Sequence, residues 1–156
     1  AVSNHSRTKG KRGESELAAA LTAITGREWR RAQQRKGTAT ADVECDGTRL
    51  HVECKRVKTG LSRLLPWIGR DQCISTAVGL TVFVVFPLRL RPPDSARCFP
   101  VKPTMLPAIF RAALAQAQRD RADGMTPLVC VRQDRGEWYA ACRVDDLDAV
   151  RKELSK

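Results

Sequence analysis

Ala41-Asp42-Val43-Glu44-Cys45-Asp46-Gly47-Thr48-Arg49-Leu50-His51-Val52-Glu53-Cys54-Lys55 reads as a β-hairpin. Asp46-Gly47 is a strong two-residue turn, because glycine accepts positive φ and aspartate tolerates it. With those residues as the loop, Cys45 faces Thr48, Glu44 faces Arg49 and Val43 faces Leu50. Asp42 then faces His51, and Ala41 faces Val52. Side chains alternate between the two faces of a strand. Val43, Cys45, Leu50, Val52 and Cys54 therefore cover one apolar face, and Asp42, Glu44, Arg49, His51, Glu53 and Lys55 share the other. A one-residue slip would mix the two faces.

Two carboxylates and an ammonium on one sheet face suit a divalent metal and a phosphodiester. Hard oxygen ligands favour Mg²⁺ or Mn²⁺. The plain alternative for Asp42, Glu53 and Lys55 is a solvated sheet face with a surface ion pair.

The rest of the chain favours a polyanionic partner. Its 156 residues are most simply one domain, with 28 Lys and Arg against 17 Asp and Glu, a net charge of +11. On a small domain that balance points to nucleic acid. No apolar run reaches membrane-spanning length, and no basic amphipathic helix suggests a membrane surface. The polar, basic N-terminus does not read as a signal peptide. The six cysteines, at 45, 54, 73, 98, 130 and 142, show neither Cys-x-x-Cys nor zinc spacing. Reduced thiols and a cytoplasmic setting are expected.

Residues 1–13 read as a mobile basic arm. A helix is expected from about Gly13 to Thr25, capped by Gly26. Residues 27–35 form a first strand, and the hairpin adds strands at 40–46 and 49–57. Residues 59–103 read as an insertion or elaboration that holds one buried strand, Leu80 to Phe86. Thr104 can N-cap a helix to about Ala122. Strand-like runs follow at Pro127–Arg132 and Trp138–Val144, then a last helix from about Asp145 to Leu154.

The first helix offers a third carboxylate. At about 100° per residue, Glu14 lies near the stripe of Leu17, Leu21 and Ile24, whereas Glu16 lies off it and faces water. Glu14 thus points to the sheet, as a shared metal ligand or in a capping and dipole role.

Glu in a first helix, then Asp, then Glu-x-Lys on a hairpin resembles the PD-(D/E)xK nuclease superfamily. Lys9-Gly10-Lys11-Arg12-Gly13-Glu14-Ser15-Glu16-Leu17 is similar to the start of archaeal-type and phage Holliday junction resolvases, and residues 127–139 are similar to the late hairpin of phage members. Ala41 stands where the family often has proline, a position without chemistry. The likeness covers residues 7–58 and 104–145.

The resemblance implies an α/β, restriction-endonuclease-like fold, a mixed β-sheet flanked by helices with an αβββαβ-type core. It implies a metal-dependent DNA endonuclease acting on branched or four-way junction DNA as a homodimer, in a bacterial, archaeal or phage-infected cell. Asp42 and Glu53 would be metal ligands, joined by the Cys54 backbone carbonyl and by Glu14. Lys55 would be the catalytic lysine. Gln116 and His51 could support the site, each with an ordinary surface or core role as the alternative. Lys9, Lys11, Arg12, Arg30, Arg31, Arg35, Lys36, Arg56 and Lys58 would meet phosphates. The rivals are a nuclease for flaps, damaged DNA or a specific duplex site, and a non-catalytic basic DNA-binding module.

Overall fold

A computed structural model describes residues 4–33, 40–61, 73–89, 92–94 and 97–155. Three helices, α1 (Asn4–Thr25), α2 (Ala108–Asp120) and α3 (Leu147–Leu154), cover a mixed sheet. Its strands are β1 (Arg30–Arg31), β2 (Val43–Glu44), β3 (Leu50–Val57), β4 (Ile74–Val78), β5 (Thr81–Pro87), β6 (Phe99–Pro100), β7 (Thr126–Gln133) and β8 (Trp138–Arg143). They lie in the order β1-β2-β3-β7-β8-β5-β4-β6. The α/β class and the helix-flanked mixed sheet agree with expectation. Among the described residues, no helix is long and apolar enough to cross a membrane.

Alternation along the central strands divides the core in two. On one face Leu128, Cys130, Ala140 and Cys142 pack with Leu17 and Leu21 of α1 and Val150 and Leu154 of α3. On the other, Val129, Val131, Tyr139 and Ala141 pack with Phe110, Ala113, Leu114 and Ala117 of α2. β3 and β7 run parallel, with Glu53 beside Val129. Such central strands, buried on both faces, read as apolar runs rather than as alternating patterns.

Several boundaries depart from the sequence reading. The N-terminal arm is helical from Asn4 onward. The first strand is only Arg30–Arg31. Thr104 does not cap α2; it lies in a short 3-10 turn, and α2 starts after Pro107, whose fixed φ of −55° suits a helix entry. A second 3-10 turn, Val144–Asp146, precedes α3. Gly26 ends α1 at φ 69°, as the glycine pattern implied.

The stretch 59–103 contributes β4, β5 and β6 to the same sheet, with β5 paired to β8. Leu80 is not in the buried strand but in the turn before it. Cys73 and Cys98 are joined by a disulfide at the starts of β4 and β6, which corrects the expectation of reduced thiols for that pair. Cys45, Cys54, Cys130 and Cys142 are free.

The hairpin register is shifted by two residues from the expected one. Val43 pairs with Val52, not with Leu50. Asp46-Gly47 is still the tip: the Thr48 N–H donates to the Cys45 carbonyl at 3.2 Å, and Gly47 has φ 73°. The loop is longer because Thr48 and Arg49 are drawn elsewhere. The Thr48 hydroxyl accepts from the Leu50 N–H at 3.2 Å, and the Arg49 carbonyl accepts from the Thr126 N–H at 2.7 Å. On its other side β2 pairs with β1, where Glu44 stands opposite Arg30.

Candidate active site

A shift of two residues preserves strand parity, and Val43, Cys45, Leu50, Val52 and Cys54 do share one apolar face. Asp42, whose N–H donates to the Val52 carbonyl at 2.9 Å, stands close enough to Glu53 for the two charges to act on each other. The Cys54 N–H donates to Asp42 Oδ2 at 2.8 Å. A strand residue's N–H and C=O point to the same side, so the Cys54 carbonyl also turns toward Asp42.

Glu53 is 2 % exposed, on the face covered by α2. His51 Nε2 lies 3.0 Å from its Oε1. Lys55 Nζ donates to Oε2 at 3.4 Å, and the Gln116 amide on α2 donates to the same oxygen at 3.3 Å. Burying a carboxylate is costly without such partners. Burial alone would push the Glu53 carboxyl up, but the His51 hydrogen bond and the Lys55 and His51 charges together hold it below its usual value.

Asp42 behaves oppositely. Burial and the charge of Glu53 push its carboxyl up to about 6, with Glu14 adding to the rise. The Cys54 N–H and Lys55 resist this without cancelling it. Glu14 comes from α1, where its Oε2 accepts from Arg31 Nε at 2.7 Å. Its side chain is 13 % exposed. The Cys54 thiol is also pushed up, by burial and then by Asp42 and Glu14, which leaves it unreactive.

The structure thus gathers Glu14, Asp42, Glu53, Lys55, His51 and Gln116 into one neighbourhood. Among the described residues, no three His, Cys, Asp or Glu side chains converge closely enough to ligate one ion as they stand. The donor chemistry nevertheless fits a divalent cation. Asp42 and Glu53 are oxygen donors whose mutual repulsion raises one of them, and a cation between them would offset that repulsion.

Glu16 corrects a sequence expectation, because it does not simply face water. It receives Arg12 at 2.9 Å, Arg132 at 3.1 Å and Arg56 at 3.4 Å. Asp134 adds a second anion, paired with Lys9 at 2.9 Å and Arg56 at 3.2 Å. Arg132 and Asp134 were missed in the sequence. The available signal was Arg132 beside Arg56 on adjacent strands, a like-charge pair that demands an anion.

Most of the expected phosphate contacts already have protein partners. Arg30 holds Glu44 at 3.1 Å and Asp46 at 2.8 Å, and Arg31 holds Glu14. Lys9, Arg12 and Arg56 belong to the cluster just described. Lys11 and Lys58 are exposed and make no ion pair among the described residues. Arg35, Lys36 and Trp67 lie outside the described residues. Trp29 and Trp138 are buried core residues.

No protein-family model, curated protein or solved structure matches the chain.

Proposed function

We propose that this protein is a metal-dependent DNA endonuclease of restriction-endonuclease-like fold, with branched DNA as its preferred substrate. The observation that carries the reading is the Asp42 carboxyl, pushed up to about 6 by burial and by Glu53, beside the Lys55 ammonium. Neighbouring carboxylates withdrawn from solvent are costly unless a cation or a reaction uses them.

Asp42, Glu53 and the Cys54 carbonyl would hold Mg²⁺ or Mn²⁺, with Glu14 beside them. The bound ion would polarise the phosphate and supply a hydroxide-like nucleophile. The chain's own residues do the remaining work. Lys55 sets a positive charge where the phosphate gains negative charge. His51 and Gln116 fix both oxygens of Glu53, so the carboxylate is oriented before substrate arrives. Lys11 and Lys58 are open to phosphates, and the +11 charge draws DNA in. Cutting two strands of a junction symmetrically calls for a two-fold homodimer.

Saturation of the Glu53 oxygens by three protein groups favours one rival, a basic DNA-binding module with a structural polar core. Incubation with a four-way junction and with its linear arms, with and without Mg²⁺, separates the readings. Nicking that requires Mg²⁺ and prefers the junction is expected. Equal cutting of the linear arms points to a general nuclease, and no cutting leaves the binding module.

A further inference from the structure

β4 and β5 form a hairpin in which Val78 pairs with Thr81. Side chains alternate along a strand, so Thr81 shares a face with Phe83, and Val78 shares it with Ile74. Phe83 and Ile74 belong to the core on the α2 side of the sheet. One stripe of α2, Arg111, Leu114, Ala115 and Gln118, stands across from this end of the hairpin. Between them is a cavity of about 270 Å³. Protein interiors are close-packed, so a void of this size against apolar walls is unusual. Phe83 lines it and stays half-buried instead of closing the core.

The polar groups on the lining are unequally occupied. Arg143 holds both oxygens of Asp146, at 2.8 and 3.2 Å. Gln118 turns its amide oxygen to Arg121 and accepts from Nε at 3.0 Å. Arg111 makes no hydrogen bond or ion pair among the described residues, and the Thr81 hydroxyl has no partner among them either. The charge left over on the lining is therefore a cation, and a hydroxyl remains to help it hold an acceptor.

Small-molecule sites are concave and mostly apolar, with a few polar groups that fix orientation. Here Val78, Phe83, Leu114 and Ala115 supply the apolar part, and the volume is at the small end for such sites. A neutral ligand would leave the guanidinium unanswered, and a cation would be repelled by it. A DNA phosphate would answer the guanidinium but not the apolar walls. We propose that the cavity binds a small amphipathic anion, an apolar body carrying one carboxylate or sulfonate. The body lies against Phe83 and Leu114, and the acid group meets Arg111 and the Thr81 hydroxyl.

The inference goes beyond the nuclease reading and does not need it. Gln116 leaves α2 on the other flank, toward Glu53, at about 140° from Arg111 with about 100° per residue. The helix therefore separates the two sites.

Fluorescence titration of the full chain, in EDTA and without DNA, tests the site with two probes of one aromatic frame. Anilinonaphthalene sulfonate is an apolar anion, and phenylnaphthylamine is its neutral counterpart. The sulfonate is expected to bind at a single saturable site, roughly 5-fold tighter than the amine. Arg111→Gln should remove that advantage by weakening the sulfonate and leaving the amine unchanged. Ala115 lines the cavity and is exposed, so it stands at the opening. Ala115→Trp should therefore block both probes with an unchanged circular dichroism spectrum. Arg119→Gln removes another exposed charge of α2, away from the cavity, and should alter neither affinity. An amine that binds as tightly as the sulfonate overturns the proposal, as does binding that survives Ala115→Trp. Equal losses in Arg111→Gln and Arg119→Gln also overturn it, and so does the lack of saturable sulfonate binding up to about 1 mM. Loss of cleavage in a Glu53 variant leaves this measurement untouched.

Discussion

His51 and Glu53 stand two residues apart on β3, both closed off from solvent, with His51 Nε2 3.0 Å from Glu53 Oε1. Gln116 and Lys55 take the other oxygen, so the carboxylate is held from three directions. A carboxylate held this firmly is oriented, and the proposed function makes several consequences measurable.

Glu53→Gln should abolish Mg²⁺-dependent cleavage, by at least ~100-fold, while junction binding in EDTA is retained or tightened. Removing a negative charge relieves repulsion against the phosphate. Lys55→Ala should also stop cleavage but weaken binding in EDTA, because it removes a positive charge. Full cleavage by the Glu53 variant would remove this hairpin from the active site.

Asp42 should make stability depend on pH. Its carboxyl lies at about 6 in the folded chain against an ordinary value of 3.8. Between those values the folded state holds more protons than the unfolded state, so this group costs stability as pH rises. The cost is absent below the lower value and complete above the higher one. Asp42→Asn should therefore stabilise the metal-free protein by about 1–3 kcal/mol at pH 7–8, with the gain vanishing near pH 4. Urea denaturation across this range reads it out. Added Mg²⁺ should stabilise the wild type above pH 6 more than the variant.

Glu14 and Glu16 should separate by readout. Glu14→Gln should lower cleavage with little loss of stability. Glu16→Gln should leave the chemistry intact but cost about 1–3 kcal/mol, because Arg12, Arg56 and Arg132 lose their shared anion. Thermal unfolding and cleavage rates on both variants decide it, and the reverse pattern would exchange their roles.

Gly13→Ala should destabilise the fold despite alanine's better helix propensity. A Cβ at Gly13 would stand 2.6 Å from Arg56 Cδ and 2.9 Å from its Cγ. Those atoms are the stem of a side chain already tied to Glu16 and Asp134. Overpacking of this kind costs about 1–3 kcal/mol, more than the ~1 kcal/mol that propensity returns. A higher urea midpoint for the variant would show that Arg56 moves aside freely.

The legible part of the site lay in β3. Alternation from Leu50 to Lys55 placed Glu53 and Lys55 on one face, and helical phase turned Glu14 inward ahead of Glu16. Gln116 was readable only as a polar residue flanking an apolar stripe. Its contact with Glu53 depends on where α2 crosses β3, which no local pattern encodes. The partners of Glu16 were hidden for the same reason, since Arg132 lies 116 residues away in sequence.

Local pattern carried the apolar face of the hairpin, the stop of α1 at Gly26 and the excess positive charge. These follow from strand parity, backbone conformational freedom and composition, all local properties. Tertiary structure decided who stands opposite whom. The Arg49 carbonyl is taken by Thr126, the hairpin loop is longer than two residues, and Val43 meets Val52 in place of Leu50. A two-residue shift is invisible to alternation because Val43, Val52 and Cys54 keep their common apolar face, yet it changes which residues stand opposite one another.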